Sequence, residues 1–163
     1  YEQTTQNCSK FTWERGYFTV PLSAEELEFP IAYSLLVYKD LEMVERLLLR
    51  AIYRPQNYYC LHIDASSTPG FYRAARSLSR CFHNVILTRQ RVDVVWGEFS
   101  VLKPELLCMR QLWRYRKWKY YINLTGQEFP LKTNLEIVRI LKAYRGANDV
   151  QGTLKYANKE RWK

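Results

Sequence analysis

Four short apolar runs, separated by amphipathic stretches, set the organisation of this chain. The first, IAYSLLV at 31–37, is a near-continuous apolar run of strand length. Asp40 follows as a candidate N-cap, and Leu41, Val44, Leu48 and Ala51 then share one helical face. Pro55 falls shortly after that helix. YYCLHI at 58–63 predicts a second buried strand ending at Asp64, and 66–70 reads as loop. Residues 71–82 predict a helix with Ala74, Leu78 and Cys81 inward, and NVILT at 84–88 predicts a third strand. A loop carrying Asp93 and Trp96 leads into a long amphipathic helix over 99–115. Pro104 is a defect inside that helix or near its first turns. YYINL at 120–124 predicts a fourth strand, read as buried, and 134–144 the helix after it. Residues 1–28 read as an irregular, polar segment leading into the domain, and the stretch after 144 is polar and unassigned.

The order is therefore β-α-β-α-β-α-β-α. Alternation of short apolar strands with helices predicts an α/β fold, a Rossmann-type, mainly parallel sheet with helices on both faces. Ligands of such sheets sit beyond the carboxyl ends of the strands. The segments to watch are 37–40, 64–66, 88–96 and 126–130.

With 163 residues the chain suits one domain, and 47% hydrophobic against 25% charged residues is a globular balance. The net charge of +9 suits nucleic acid, membrane headgroups or anionic small substrates equally. Without zinc-finger spacing or an RNP-type motif, nucleic acid has no specific support. Arg73, Arg76 and Arg80 recur at helical spacing and read as a solvated face. No apolar run reaches membrane-spanning length and 1–10 is polar, so any targeting segment is expected upstream.

Asp64 could accept hydrogen bonds from a base or ribose, or simply cap a turn. His62 reads as a strand residue facing a neighbour. GQEFP at 126–130 follows the fourth strand. Its Gly126 would let backbone approach a ligand, and Glu128 could serve substrate or satisfy loop amides. No DxD, HxxxH or CxxC spacing occurs, which favours metal-free chemistry with Lys and Arg offsetting phosphate charge. GxGxxG and the P-loop are absent too, against a nicotinamide enzyme or a kinase. Cys8, Cys60, Cys81 and Cys108 allow three pairings, with buried free thiols as the default. Of two sequons, Asn7-Cys8-Ser9 lies in an exposed polar segment and is a glycosylation candidate. Asn123-Leu124-Thr125 lies on the strand read as buried and is taken as structural.

FPIAYSLLVYKDLEMVERLLLRAIYRPQNYYCLHID at 29–64, WKYYINLTGQEFPLKTNLEIVRILK at 118–142 and the final NKERWK closely resemble the core 2 and I-branching β-1,6-N-acetylglucosaminyltransferases. The likeness runs from about Asn7 to Lys163. Peptide O-xylosyltransferases share the pattern around the fourth strand but less of the wording. The resemblance implies a GT-A-like fold, with 29–163 as the nucleotide-sugar-binding half of a catalytic domain, incomplete at its C-terminus. It implies an upstream Golgi type II membrane anchor, a lumenal catalytic domain and UDP-N-acetylglucosamine as donor. It also implies inversion without a metal ion or other cofactor, on a glycoprotein glycan acceptor. The family's general base is a Glu in a motif resembling PDEYLW, expected downstream, so no catalytic residue is assigned in this chain.

Residue by residue, the resemblance places Val37, Asp64, Trp96 and Glu128 at the donor and Gln151, Lys159 and Arg161 at the acceptor. Trp96 stands where the family has Tyr and Gln151 where it has Glu. Lys159 fits a family Lys with one residue deleted. Thr125 replaces a Cys, Glu128 an Asp and Tyr38 a His. The bridges implied are Cys8–Cys81 and Cys60–Cys108, in keeping with an oxidising compartment. A non-catalytic sugar- or nucleotide-binding relative is the second expectation, and a xylosyltransferase-like enzyme the third.

Overall fold

The computed structural model describes residues 1–46 and 51–149. Four strands form one all-parallel sheet in the order β3-β2-β1-β4. β1 (Ile31–Val37) is central, paired with β2 (Tyr58–Ile63) from Ala32↔Tyr58 to Val37↔Ile63, and with β4 (Tyr120–Thr125) from Ile31↔Tyr120 to Leu36↔Thr125. β3 (Val85–Leu87) adds three residues outside β2. β1 and β2 read as continuous apolar runs because both their faces are covered.

Side-chain alternation divides the sheet residues between two layers. Ile31, Tyr33, Leu35, Val37, Tyr59, Leu61 and Ile63 join the larger core. There they meet α1 (Cys8–Glu14), α3 (Leu41–Val44), α4 (Pro69–Ser79) and α6 (Asn134–Ala143). Ala32 and Cys60 face the other way, onto Cys108 and Leu112 of α5 (Lys103–Leu112). Helices thus cover both faces, as the alternation predicts.

The helix starts follow local chemistry. Asp40 caps α3, its side chain accepting from Met43 N. Thr68 caps α4 ahead of Pro69. Thr133 and Glu136 form a reciprocal capping box on α6, and the Thr133 backbone N–H and hydroxyl hold the Glu136 carboxyl below its ordinary pKa. Pro104 sits in the first turn of α5, where its missing N–H costs nothing, so the predicted 99–115 helix is shorter. A 3₁₀ turn at Phe99–Val101 precedes it.

Residues 1–28 depart from their sequence expectation. They contain α1 and α2 (Ala24–Leu27), and Phe11 and Tyr17 pack into the larger core against Phe82 and Tyr53. The buried carboxylate of Glu45 accepts from the hydroxyls of Tyr1 and Tyr17, and burial raises both phenols' pKa. Disulfides join Cys8 to Cys81 and Cys60 to Cys108, which replaces the free-thiol default with the family's pairing.

The Asn123 expectation also changes. β4 has no further strand beyond it among the described residues, and Asn123 and Thr125 are exposed. The burial inferred from the apolar run holds for its other face, where Ile122 and Leu124 pack against the larger core.

A polar network fastens the amino-terminal edge of the sheet. Asn57 accepts from Ile31 N (2.9 Å) and donates to Asn134 Oδ1 (2.8 Å). Asn134 in turn donates to Glu26 Oε1 (2.7 Å). Asn84 donates to the carbonyls of Arg54 (3.0 Å) and Asn57 (2.8 Å). Backbone groups that would otherwise be buried and unpaired are satisfied here.

Candidate functional site

The chain runs outward from β1 through β2 to β3, then returns to place β4 on the other side of β1. The order therefore reverses between β1 and β4, and the crevice for ligand lies at the carboxyl ends of those strands. Val37 and Gly126 meet there. Gly126 N donates to Leu36 O (2.9 Å), and a Cβ on Gly126 would lie 3.2 Å from Val37 Cγ1. A side chain at 126 would need Val37 to give by a few tenths of an ångström, so glycine is what lets the chain leaving β4 pass the end of β1 without displacing it. Val37 is 3% exposed and its carbonyl accepts from Asp64 N (2.9 Å), so it forms the floor of the crevice.

Asp64 is 8% exposed and accepts three hydrogen bonds. Oδ1 takes Ser66 N (2.7 Å) and Ser66 Oγ (2.5 Å), and Oδ2 takes Val94 N (3.2 Å). The turn-capping role is thus real. With two acceptor directions per oxygen, Oδ2 keeps one place that no donor among the described residues fills. The neighbouring Ser67 hydroxyl donates to Tyr38 O (2.8 Å), tying the 64–67 turn to the end of β1.

The loop after β3 closes on the same point. Ala65 N donates to Val92 O (2.9 Å), and Val92 N donates to His62 Nε2 (3.3 Å). His62 must keep that nitrogen unprotonated, so Nδ1 carries the hydrogen and donates to Thr88 Oγ1 (3.0 Å). Burial lowers the His62 pKa, Arg91 lowers it further, and Val92 and Asp64 act the other way. A histidine depressed below its unfolded value contributes stability that is present in full above about pH 6.5 and is lost as pH falls below it. Unfolding free energy should therefore fall on acidification from about pH 7.5 to 5.5, by at most ~1.4 kcal/mol per pH unit from this one proton. H62Q should flatten the slope, measured by denaturant titration, and an unchanged slope would refute the assignment.

Of the predicted donor residues, the structure brings Val37 and Asp64 together. Trp96 follows two residues after Val94 and is 89% exposed, beside a turn in which Ser100 Oγ bridges Val95 N (2.9 Å) and O (3.2 Å). Glu128 is exposed, and its carboxylate accepts from Thr125 N, closing its own turn rather than meeting Asp64. Gln151, Lys159 and Arg161 lie outside the described residues. Asn7 is exposed and uses Oδ1 to cap α1 at Lys10 N (2.9 Å), which leaves the nitrogen a glycan would occupy uncommitted. Among the described residues no three His, Cys, Asp or Glu side chains gather as a metal-holding group, and no helix is long and apolar enough to cross a membrane. The sequence did not single out Arg91 at this edge, because its partners are backbone carbonyls that no residue pattern encodes.

A four-stranded parallel sheet with helices on both faces and a crevice at the strand-order reversal defines a Rossmann-like α/β class of fold. The family model described as "Core-2/I-Branching enzyme" matches residues 31–163, and the chain belongs to that family. It is 47% identical over 165 aligned positions to a beta-1,3-galactosyl-O-glycosyl-glycoprotein beta-1,6-N-acetylglucosaminyltransferase of Bos taurus, covering 100% of this chain and 38% of that protein. It is 46% identical to the Homo sapiens protein of that name, again over 100% of this chain and 38% of the relative. The Bovine herpesvirus 4 protein is 41% identical, with 100% and 37% covered. The chain thus spans well under half the length of these curated relatives.

Proposed function

We propose that the complete polypeptide transfers N-acetylglucosamine from UDP-N-acetylglucosamine, in β-1,6 linkage, to galactose or N-acetylgalactosamine of O-glycans, and that this chain supplies the donor half of the site. The observation that carries it is the crevice between β1 and β4, floored by Val37 and Gly126, with one acceptor place open on Asp64. That place suits a ribose hydroxyl or the uracil N–H. The names of the relatives, aligned over the whole chain, support the sugar and the linkage.

In this reading the acceptor 6-hydroxyl attacks the anomeric carbon as the bond to UDP breaks. Configuration inverts, and the hydroxyl proton passes to a glutamate outside this chain. No metal ion takes part. Trp96 lines the donor side, Glu128 shapes the 125–128 turn, and Gln151, Lys159 and Arg161 are assigned to acceptor binding. A Golgi membrane setting, a lumenal catalytic domain and a glycan on Asn7 belong to the same proposal, and the two disulfides fit that compartment.

The test is transfer of labelled N-acetylglucosamine from its UDP donor to core 1 and lactosamine acceptors by the complete polypeptide in excess EDTA. Transfer is expected to survive. D64A removes a hydrogen-bonded charged acceptor and should raise the donor KM about 10- to 100-fold. A folded protein without transfer would point to a non-catalytic relative.

A further inference from the structure

Arg91 makes an unusual set of contacts at the rim of the site. Nη2 donates to the carbonyls of Asp64 (2.5 Å), Ala65 (3.1 Å) and Ser67 (3.1 Å), and Nε to that of Ile63 (3.3 Å). The guanidinium also lies over the Tyr72 ring of α4, 4.9 Å from its centroid. Four carbonyls at the end of β2 converge on a single planar cation: three share the two N–H groups of Nη2, Nε takes the fourth, and the flat guanidinium stacks on Tyr72, whereas an ammonium has no second nitrogen for Ile63 and no plane to stack.

We propose that Arg91 is a positioning residue for the donor, locking the 64–67 turn and the 89–94 loop into one body and so fixing where Asp64 presents its open Oδ2. The proposal rests on the assignment of this edge to the donor's nucleotide. Positions 91, 92 and 94 of the loop all grip the end of β2: Arg91 by the carbonyls, Val92 through Ala65 N and His62, and Val94 through Asp64 Oδ2. The carbonyl dipoles of the turn point at one spot and repel one another without a cation there. Removing the guanidinium should turn those carbonyls outward and tilt the Asp64 carboxylate held between them. Asp64 itself is untouched by the substitution, so the loss is one of placement.

A residue that only packed would tolerate methionine without change at the nucleotide. The experiment compares the complete wild-type polypeptide with R91M, R91K and Y72L, by calorimetric UDP affinity, donor and acceptor KM, and thermal midpoint. R91M is expected to raise the UDP Kd about tenfold, and R91K to recover only part of that loss, since lysine reaches fewer carbonyls and does not stack. Y72L keeps the four hydrogen bonds and should cost about threefold. The acceptor KM should stay within about twofold of wild type throughout. Unchanged UDP binding in folded R91M sinks the proposal alone. Full recovery in R91K shows that charge suffices and also sinks it, as does a parallel rise in both KM values. A wild-type protein that binds no UDP removes the donor assignment and this proposal together.

Discussion

E26A is expected to cost about 3–5 kcal/mol of unfolding free energy, because it leaves a buried guanidinium without its counter-charge. Glu26 is 2% exposed and lies on the four-residue α2. Its Oε1 faces Arg54 Nε at 3.6 Å and accepts from Asn134 Nδ2 at 2.7 Å, while Oε2 accepts from the Ser23 hydroxyl at 2.9 Å. Arg54 is 7% exposed, and among the described residues its guanidinium otherwise meets the Tyr53 carbonyl (2.7 Å) and the Phe18 ring (4.5 Å to the centroid). The alanine variant strands Arg54 and Asn134 together, and Asn134 is the link through Asn57 to the start of β1. E26Q keeps an oxygen for Asn134 and should cost less than E26A. E26A/R54M removes both charges and should recover part of the loss, since an apolar pair avoids the desolvation penalty. Urea midpoints with constant m-values provide the measurement. A double variant no more stable than E26A would show that the carboxylate matters through its hydrogen bonds rather than as a counter-ion.

The same network shows where the sequence is legible and where it is not. IAYSLLV and YYCLHI announce β1 and β2 because central strands of a parallel sheet are buried on both faces. Asp40 and Pro104 mark helix starts by local backbone chemistry, which acts within a turn. Nothing local marks Glu26 as buried, because its partner Asn134 is 108 positions away. Phe11 and Tyr17 show no periodicity either. Their helix and turn are recruited to the core by contacts with Phe82 and Tyr53. Asn123 fails for a related reason, since an apolar run reports how many faces of a strand are covered only when both are.

The end-of-strand rule points to Val37, Asp64 and Gly126 without knowledge of partners, and the structure places all three together at the carboxyl ends of the strands, because topology decides which residues lie there. For Glu128 it leaves two readings, serving substrate or satisfying loop amides, and the structure shows the carboxylate accepting from Thr125 N. His62 reads correctly as facing a neighbour, and the structure adds which neighbours and in which tautomer. Both the loop and the turn it binds are shaped through backbone groups, which every residue carries alike.

The two disulfides should differ in worth, and in the direction opposite to loop length. Cys8–Cys81 spans 73 positions and Cys60–Cys108 spans 48. Chain entropy assigns each about 4 kcal/mol, with the longer loop ahead by only about 0.4 kcal/mol. Packing reverses that order. Cys60 and Cys108 are fully buried, and with Ala32 and Leu112 they form the smaller core that fastens α5 to the sheet. Cys8 and Cys81 are half-buried, at a helix end already held by the aromatic cluster of Phe11, Tyr17 and Phe82. Replacing both buried sulfurs with alanine leaves a void beneath β2, adding about 1–2 kcal/mol to the entropic loss. C60A/C108A is therefore expected to unfold at a lower urea concentration than C8A/C81A, and to release α5 first, seen as faster amide exchange over 103–112. Equal midpoints, or a lower one for C8A/C81A, would mean that loop closure outweighs packing and that the N-terminal segment is the weaker attachment.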